Sequence, residues 1–317
     1  MFVIIGTANV DLLVAGFARM PGGSGDEFTT SNLVFCDEPL KLMLGGNGGN
    51  CAYVLAGFGA PTALCSAVGQ DELGDLVRRW LGERQVDLTG LVGNTQRATA
   101  YTTIMMDNAR NRLAFHHPGA LAALTYDDLP TNLLAAANVL LVTGYTILPQ
   151  LRPHGFAQVL AAAHQRRVIT AVDIGPAIGQ PAQLAELTPL LPHIDYLIAN
   201  RHELAVCTGV EDVEQGATRL LKAGARCVIV KLGKAGAAIR TAGMHTHVPG
   251  FRVETRSTVG AGDSFNAGLL YGLQHGWTTE TAVRFGNAAA ALVVASERGI
   301  LGSPTLARVE AFLGQAD

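Results

Sequence analysis

The sequence predicts an α/β fold with a mostly parallel central sheet and helices on both of its faces. Three observations predict it. From Asn138 onward, short apolar runs alternate with helical stretches, the pattern of strand-helix-strand units. Phe2-Val3-Ile4-Ile5 is a continuous apolar run ending in Gly6, as a central strand buried on both faces requires. Two β-prone regions, Phe28 to Leu44 and Ala98 to His117, stand outside that alternation and read as short strands off the main sheet.

At 317 residues the chain can bury a large core. Apolar residues are 49% and charged residues 15%, a globular composition. The net charge of -3 and the pI of about 6.3 offer no basic excess for nucleic acid or an anionic membrane. No apolar run approaches the ~20 residues of a membrane span. The chain opens on its first strand without a basic leader region, so a cytoplasmic protein is expected. The five cysteines are scattered, with no CxxC pair, and read as buried free thiols. The nine histidines show no metal-binding spacing; His116 and His117 would point to opposite faces of a strand.

In chain order, Asn9 and Asp11 follow the first strand, where open α/β sheets bind ligands; a turn satisfied by these side chains is the simpler reading. Pro21 to Phe28 reads as a loop. Leu44-Gly45-Gly46-Asn47-Gly48-Gly49-Asn50 reads as a glycine hinge leading into a helix, Ala52 to Phe58, and a strand, Thr62 to Val68. Its spacing is wrong for a dinucleotide fingerprint. Tyr101 to Met106, a turn at Asp107 to Asn111, and Leu113 to His116 make a hairpin signal. Strands follow at Val139 to Val142, Val168 to Val172, Tyr196 to Ala199 and Cys227 to Val230. Helices are expected over Leu151 to Gln165 and Glu214 to Ala223. Asn200 ends a strand, and Glu203 stands one helical turn later, which fits either a capping box or a functional pair. Ala282, Phe285, Ala289, Leu292 and Val293 form a core stripe at helical spacing.

Arg256 to Gly268 is the most informative stretch. Gly260 and Gly262 remove side chains where backbone must approach something closely. The helix that follows presents unpaired N–H groups and a positive dipole end, which suits an anion such as phosphate. Asp263 stands at that helix start, as a cap or as a base beside a bound phosphate.

Val259-Gly260-Ala261-Gly262-Asp263-Ser264-Phe265 resembles the C-terminal signature of the ribokinase-like, or PfkB, family of carbohydrate kinases. The resemblance runs over nearly the whole chain. It implies a Rossmann-like three-layer sandwich with a small β-sheet lid, in a single domain over 1–317 with lid insertions around 12–44 and 97–117. It implies that Gly260, Ala261 and Gly262 form an anion hole for the transferring phosphate, with Asp263 as the catalytic base. Asn9, Asp11, Gly45, Gly46 and Asn50 fall at its substrate-side positions. Asn200, Lys231, Gly233, Gly236 and Asn287 fall at its nucleotide-side positions, and Glu203 at its metal position. The implied cofactors are ATP and Mg²⁺.

Departures from the pattern are visible. Ser257 stands where the family usually has the Asp that helps build a monovalent-cation (K⁺) site. Lys231 replaces a usual Thr or Ser. Asn47 stands where members acting on phosphorylated sugars often have Lys, which favours a neutral substrate. The function implied is ATP-dependent phosphorylation of a primary hydroxyl of a small neutral sugar. A nucleoside kinase of the same family and a non-catalytic sugar or nucleotide sensor are the alternatives. Lid strands leave edges that a second copy can cover, so a homodimer through the lid is the candidate assembly.

Overall fold

The computed structural model describes residues 1–18, 20, 33–109, 111–177 and 179–315. The chain begins with β1 (Phe2–Ile5), β2 (Asn9–Phe17), β3 (Lys41–Gly45), α1 (Asn47–Gly57), β4 (Thr62–Gly69), α2 (Glu72–Glu83) and β5 (Leu91–Asn94). It continues through β6 (Tyr101–Asp107), β7 (Arg112–His117), α3 (Thr131–Ala136), β8 (Val139–Val142), α4 (His154–Gln165), β9 (Ile169–Asp173) and α5 (Leu184–Leu187). Next come β10 (Tyr196–Asn200), α6 (Arg201–Thr208), α7 (Val213–Lys222), β11 (Val228–Lys231), β12 (Ala237–Arg240) and β13 (His245–Val248). Three helices close the chain: α8 (Ala261–Gln274), α9 (Thr279–Val294) and α10 (Leu306–Gln315).

The described residues form two sheets. The larger has nine strands in the order β13-β12-β11-β10-β9-β8-β1-β4-β5. Its strands are parallel from β11 through to β5, and β12 and β13 extend it antiparallel. The expected alternation is borne out by the four-residue strands β1 and β8, buried throughout as only a doubly covered sheet allows. Two apolar clusters cover its faces, one containing Phe2, Ile4, Phe265 and Phe285, the other Val3, Ile5, Phe156 and Leu160. Successive residues of β1 thus face opposite layers, the period-2 alternation of a strand.

The smaller sheet, the lid, has the order β3-β2-β6-β7. The predicted hairpin is β6 and β7, paired antiparallel with Thr102 opposite His116. The other half differs from expectation. Asn9 to Asp11 is not a turn but the start of β2, which runs parallel to β6. Phe28 to Leu44 supplies one described strand, β3, rather than several; the expected loop at Pro21–Phe28 lies outside the described residues.

α1 starts at Asn47, five residues before the expected Ala52. The glycines that suggested a hinge allow close packing. A Cβ on Gly48 would come within 2.8 Å of the Gly6 Cα, so the helix start lies directly on the end of β1. β9 ends at Asp173 and β11 at Lys231, each one residue beyond the apolar runs that marked them. β5, β12 and β13 carry too little apolar periodicity to be read from sequence. Of the five cysteines, four are buried and Cys36 is exposed, which corrects the expectation that all lie inside. None of the helices among the described residues is long and apolar enough to cross a membrane.

Candidate active site

Two helix starts meet at the carboxyl ends of the parallel strands. α8 begins after Gly260, which holds φ at 77° and so occupies the left-handed region that favours glycine. Asp263 is the third residue of that helix and is 7% exposed. In the first turn of α1, Asn47 and Asn50 are three residues apart and share a face. Both aim amides at Asp263. Asn47 Nδ2 donates to Oδ1 at 3.0 Å, and Asn50 Nδ2 donates to Oδ2 at 2.8 Å. Burial pushes the Asp263 carboxyl up to about 6, although the Asn50 amide and the Lys231 charge pull the other way. The group is therefore mostly ionised at neutral pH, with a proton affinity closer to ambient pH than a free aspartate has.

The Asn50 Oδ1 is buried and has no hydrogen-bond partner. A buried carbonyl oxygen of this kind is a ready acceptor for a ligand hydroxyl.

Below the α8 start lies a second charged group. Lys231, the last residue of β11, places Nζ 2.6 Å from Asp173 Oδ2, and Asn266 Nδ2 donates to the same oxygen. A Cβ on Gly262 would stand 3.3 Å from that Nζ, so the ammonium lies directly against the backbone of the glycine loop. Burial opposes the Lys231 charge, but Asp173 and Glu203 outweigh it and raise its pKa.

Glu203 and Asn200 form the capping box. Asn200 Oδ1 accepts from the Glu203 N–H at 2.8 Å, and Glu203 Oε2 accepts from the Asn200 N–H at 2.7 Å. Glu203 is nonetheless drawn into the cluster. Burial, then the nearby Asp173 charge, pushes its carboxyl up to about 7. Three carboxylates, Asp173, Glu203 and Asp263, thus surround one ammonium.

That excess of negative charge suits a divalent cation. Among the described residues no group of three or more His, Cys, Asp or Glu side chains is arranged to hold a metal by itself. This fits Mg²⁺, which keeps waters and substrate oxygens and takes one or two carboxylates. Glu203, whose Oε2 alone is engaged by the Asn200 N–H, is the side chain that would help hold it.

The lid supplies a second polar group. Asn9 Nδ2 donates to Asp11 Oδ1 at 2.7 Å. Both side chains are buried, and burial raises the Asp11 carboxyl. Gly45, on β3, must lack a side chain here: a Cβ would meet Asp11 Oδ1 at 2.5 Å. Gly46 caps α1 with φ at 83°.

The sequence-predicted residues therefore fall into groups. Asp263, Gly260, Ala261, Gly262 and Asn50 come together, with Lys231 and Glu203 beside them. Asn9, Asp11 and Gly45 meet at the lid base. Gly233 and Gly236 shape the turn between β11 and β12, where Leu232 N–H donates to the Gly236 carbonyl at 2.8 Å. Asn287 is buried, and its Nδ2 donates to the Val248 and Pro249 carbonyls, at 3.2 and 3.1 Å. Ser257 Oγ accepts from the Val259 N–H at 3.2 Å. Sequence reasoning missed Asp173, Asn266 and the contact of Asn47 with Asp263. Asp173 ends a strand of a parallel sheet, which was the available signal.

The family model of the pfkB family carbohydrate kinases matches residues 29–306. The chain belongs to that family. It is 27% identical to the 5-dehydro-2-deoxygluconokinase of Photobacterium profundum, covering 96% of this chain and 91% of that one. It is 30% identical to the ATP-dependent ribose-1-phosphate kinase of Halopiger xanaduensis, covering 86% of each. Its fold superposes on the ribokinase of Arabidopsis thaliana complexed with ribose and ATP at a TM-score of 0.83, with 26% identity and 98% of each chain covered. This pfkB family protein thus has the ribokinase fold, the smaller four-stranded sheet included.

Proposed function

We propose that this pfkB family kinase transfers the γ-phosphoryl group of ATP to a primary hydroxyl of a small neutral sugar, with Asp263 as the general base. One observation carries the reading: a buried carboxylate, oriented by two amides, at the start of a helix whose N–H groups face the same space.

The substrate hydroxyl gives its proton to a carboxylate oxygen of Asp263 as its own oxygen bonds to the γ-phosphorus. The bond to the ADP oxygen breaks on the opposite side. Gly260, Ala261 and Gly262 contribute backbone N–H groups and dipole where negative charge gathers on the transferring oxygens. Lys231 adds a fixed positive charge beside Gly262. Mg²⁺, when bound with the nucleotide, supplies charge neutralisation to the phosphates. Asn50 Oδ1 and the Asp11 carboxylate accept sugar hydroxyls and fix which hydroxyl faces Asp263. Gly46 sets the entry of α1 at that site. Asn200 keeps Glu203 oriented, and Gly233, Gly236 and Asn287 shape the nucleotide side. The lid excludes water that would compete for the phosphate.

Asn47 in place of a lysine supports a neutral acceptor. With a neutral hydroxyl at Ser257, K⁺ is not assigned a role. The partner proposed for the lid is a second copy. Leu42, Leu113 and Phe115 are 39%, 48% and 53% exposed, and their register places them on the lid face opposite Asp11. The reaction is placed in the cytoplasm, where ATP is available and free cysteines persist.

Release of ADP from Mg-ATP across neutral sugars, sugar acids and nucleosides tests the reading. A neutral acceptor should be turned over fastest. Tight binding of a sugar with no ADP formed would instead make the protein a sensor.

A further inference from the structure

The glycine loop that leads into α8 is held at both ends by one segment, the connection from α9 to α10. At the loop's entry, the Arg256 and Ser257 N–H groups both donate to the Val294 carbonyl, at 2.9 and 3.2 Å. Val294 is the last residue of α9. At the loop's exit stands Gly260. Its carbonyl accepts from the Ser264 N–H and from the Ser264 hydroxyl, at 2.9 and 2.8 Å, which ties that side of the glycine to α8. The other side faces Ile300. A Cβ on Gly260 would overlap both Cγ1 and Cδ1 of Ile300, so the isoleucine occupies the space that the missing side chain leaves.

Ile300 is itself fixed. It belongs to a short 3₁₀ turn, Gly299–Gly302, that lies against β3, α1 and α9. Its side chain is 3% exposed and joins the apolar cluster that contains Leu44 of β3 and Phe265 of α8. The Ile300 carbonyl accepts from the Ser303 N–H at 2.9 Å. The Ser303 carbonyl accepts from Arg84 at 3.4 Å, and the Arg84 guanidinium lies 4.7 Å from the centre of the Tyr53 ring on α1. A side chain branched at Cβ has few rotamers open to it in such packing. The point that a Gly260 Cβ would take is also 3.8 Å from Asn50 Nδ2, the amide that donates to Asp263. One apolar side chain thus stands at the turn of the anion loop, on the side where the amide orienting the base approaches.

The loop needs such a brace. Gly260 and Gly262 leave its backbone more conformations than other residues would. N–H groups stabilise a transferring phosphoryl group only where they are already aimed at it. Ile300 closes off the space into which the Gly260 backbone could otherwise shift.

We infer that Ile300 is a positioning residue for phosphoryl transfer, acting through Gly260 to hold the anion loop in its working geometry. The inference rests on the kinase reading for what the loop does. The loop's donors matter most when charge gathers on the transferring oxygens, so the effect of Ile300 falls on kcat rather than on substrate binding.

Three variants and two readouts test it. Ile300→Ala empties the space beside Gly260. Ile300→Val loses only Cδ1, and so guards against a variant that simply fails to fold. Leu301→Ala shortens a partly buried neighbour in the same turn and serves as the structural control. Hydrogen exchange across residues 256–264 reads the loop with no substrate present, and ADP release from Mg-ATP with the best acceptor reads turnover. In Ile300→Ala, exchange across the loop should quicken and kcat should fall about 10–100-fold, with KM for ATP and acceptor changed by no more than about threefold. Ile300→Val should keep most of the loop protection and most of the turnover. Leu301→Ala should lower the unfolding temperature and leave kcat in place. Unchanged loop exchange in Ile300→Ala, a loss confined to KM, or an equal fall of kcat in Leu301→Ala would overturn the inference. If the unaltered protein releases no ADP with any acceptor, the kinase reading falls, and the exchange readout alone decides whether Ile300 holds the loop.

Discussion

Lys231 Nζ lies 2.6 Å from Asp173 Oδ2, with both side chains largely withdrawn from solvent at 15% and 3% exposure. The pair joins the ends of β9 and β11, on either side of β10, and lies under the glycine loop of α8. It holds the positive charge of a cluster that otherwise contains only carboxylates. Removing one partner of such a buried pair leaves an uncompensated charge, at a cost of about 3–5 kcal/mol.

Lys231→Met is accordingly expected to lower unfolding free energy by about 3 kcal/mol, measured by denaturant titration. Adding Asp173→Asn should recover part of the loss, because the orphaned carboxylate disappears with it. A double variant as unstable as the sum of the two singles would show that the pair is not coupled.

The pH dependence of turnover follows from the Asp263 carboxyl. Its affinity for the proton is raised by burial to about 6, and the base must be ionised to act. For free enzyme, kcat/KM should be flat above that value and fall about tenfold per pH unit below it. A profile flat down to pH 5 would assign the base elsewhere.

Asn47 and Asn50 each hold the Asp263 carboxyl down through a hydrogen bond to its charged form. Asn47→Ala should therefore move the acid limb of that profile to higher pH. An unmoved limb would mean that the amide does not contact the ionised base in solution. Asn50→Ala should move it in the same direction and also raise the KM for the sugar, since Oδ1 is lost with Nδ2.

Much of this site was legible in the sequence, and the reasons for the remainder are local. The Gly260 to Asp263 loop declared itself because glycine, small residues and an acid before a helix have few structural explanations in combination. The parallel sheet declared itself because strands covered on both faces are uniformly apolar. The start of α1 was misjudged because Gly48 and Gly49 are poor helix formers; close packing on β1 overrides that propensity. Asp173 was passed over because a single acid after Ala171-Val172 reads as the end of a strand, and its partners stand 58 and 93 positions away. Asp11 was read in a turn because the first apolar run stops at Ile5; β2 is a lid strand, stabilised by pairing with β3 and β6 rather than by its own pattern.

The lid face bearing Leu42 and Phe115 gives an assembly prediction. Light scattering should report a dimer, and Phe115→Glu should shift it towards monomer by placing a charge in an apolar contact. A monomer at all concentrations would leave that face to solvent.

The central claim is that Asp263 takes the proton of the attacking hydroxyl. Asp263→Asn keeps the size of the side chain and removes the base. Side by side, ATP and acceptor binding should change little, while kcat should fall by about 10²–10⁴. A variant that retains full turnover with its best acceptor would contradict the assignment of Asp263 as the base.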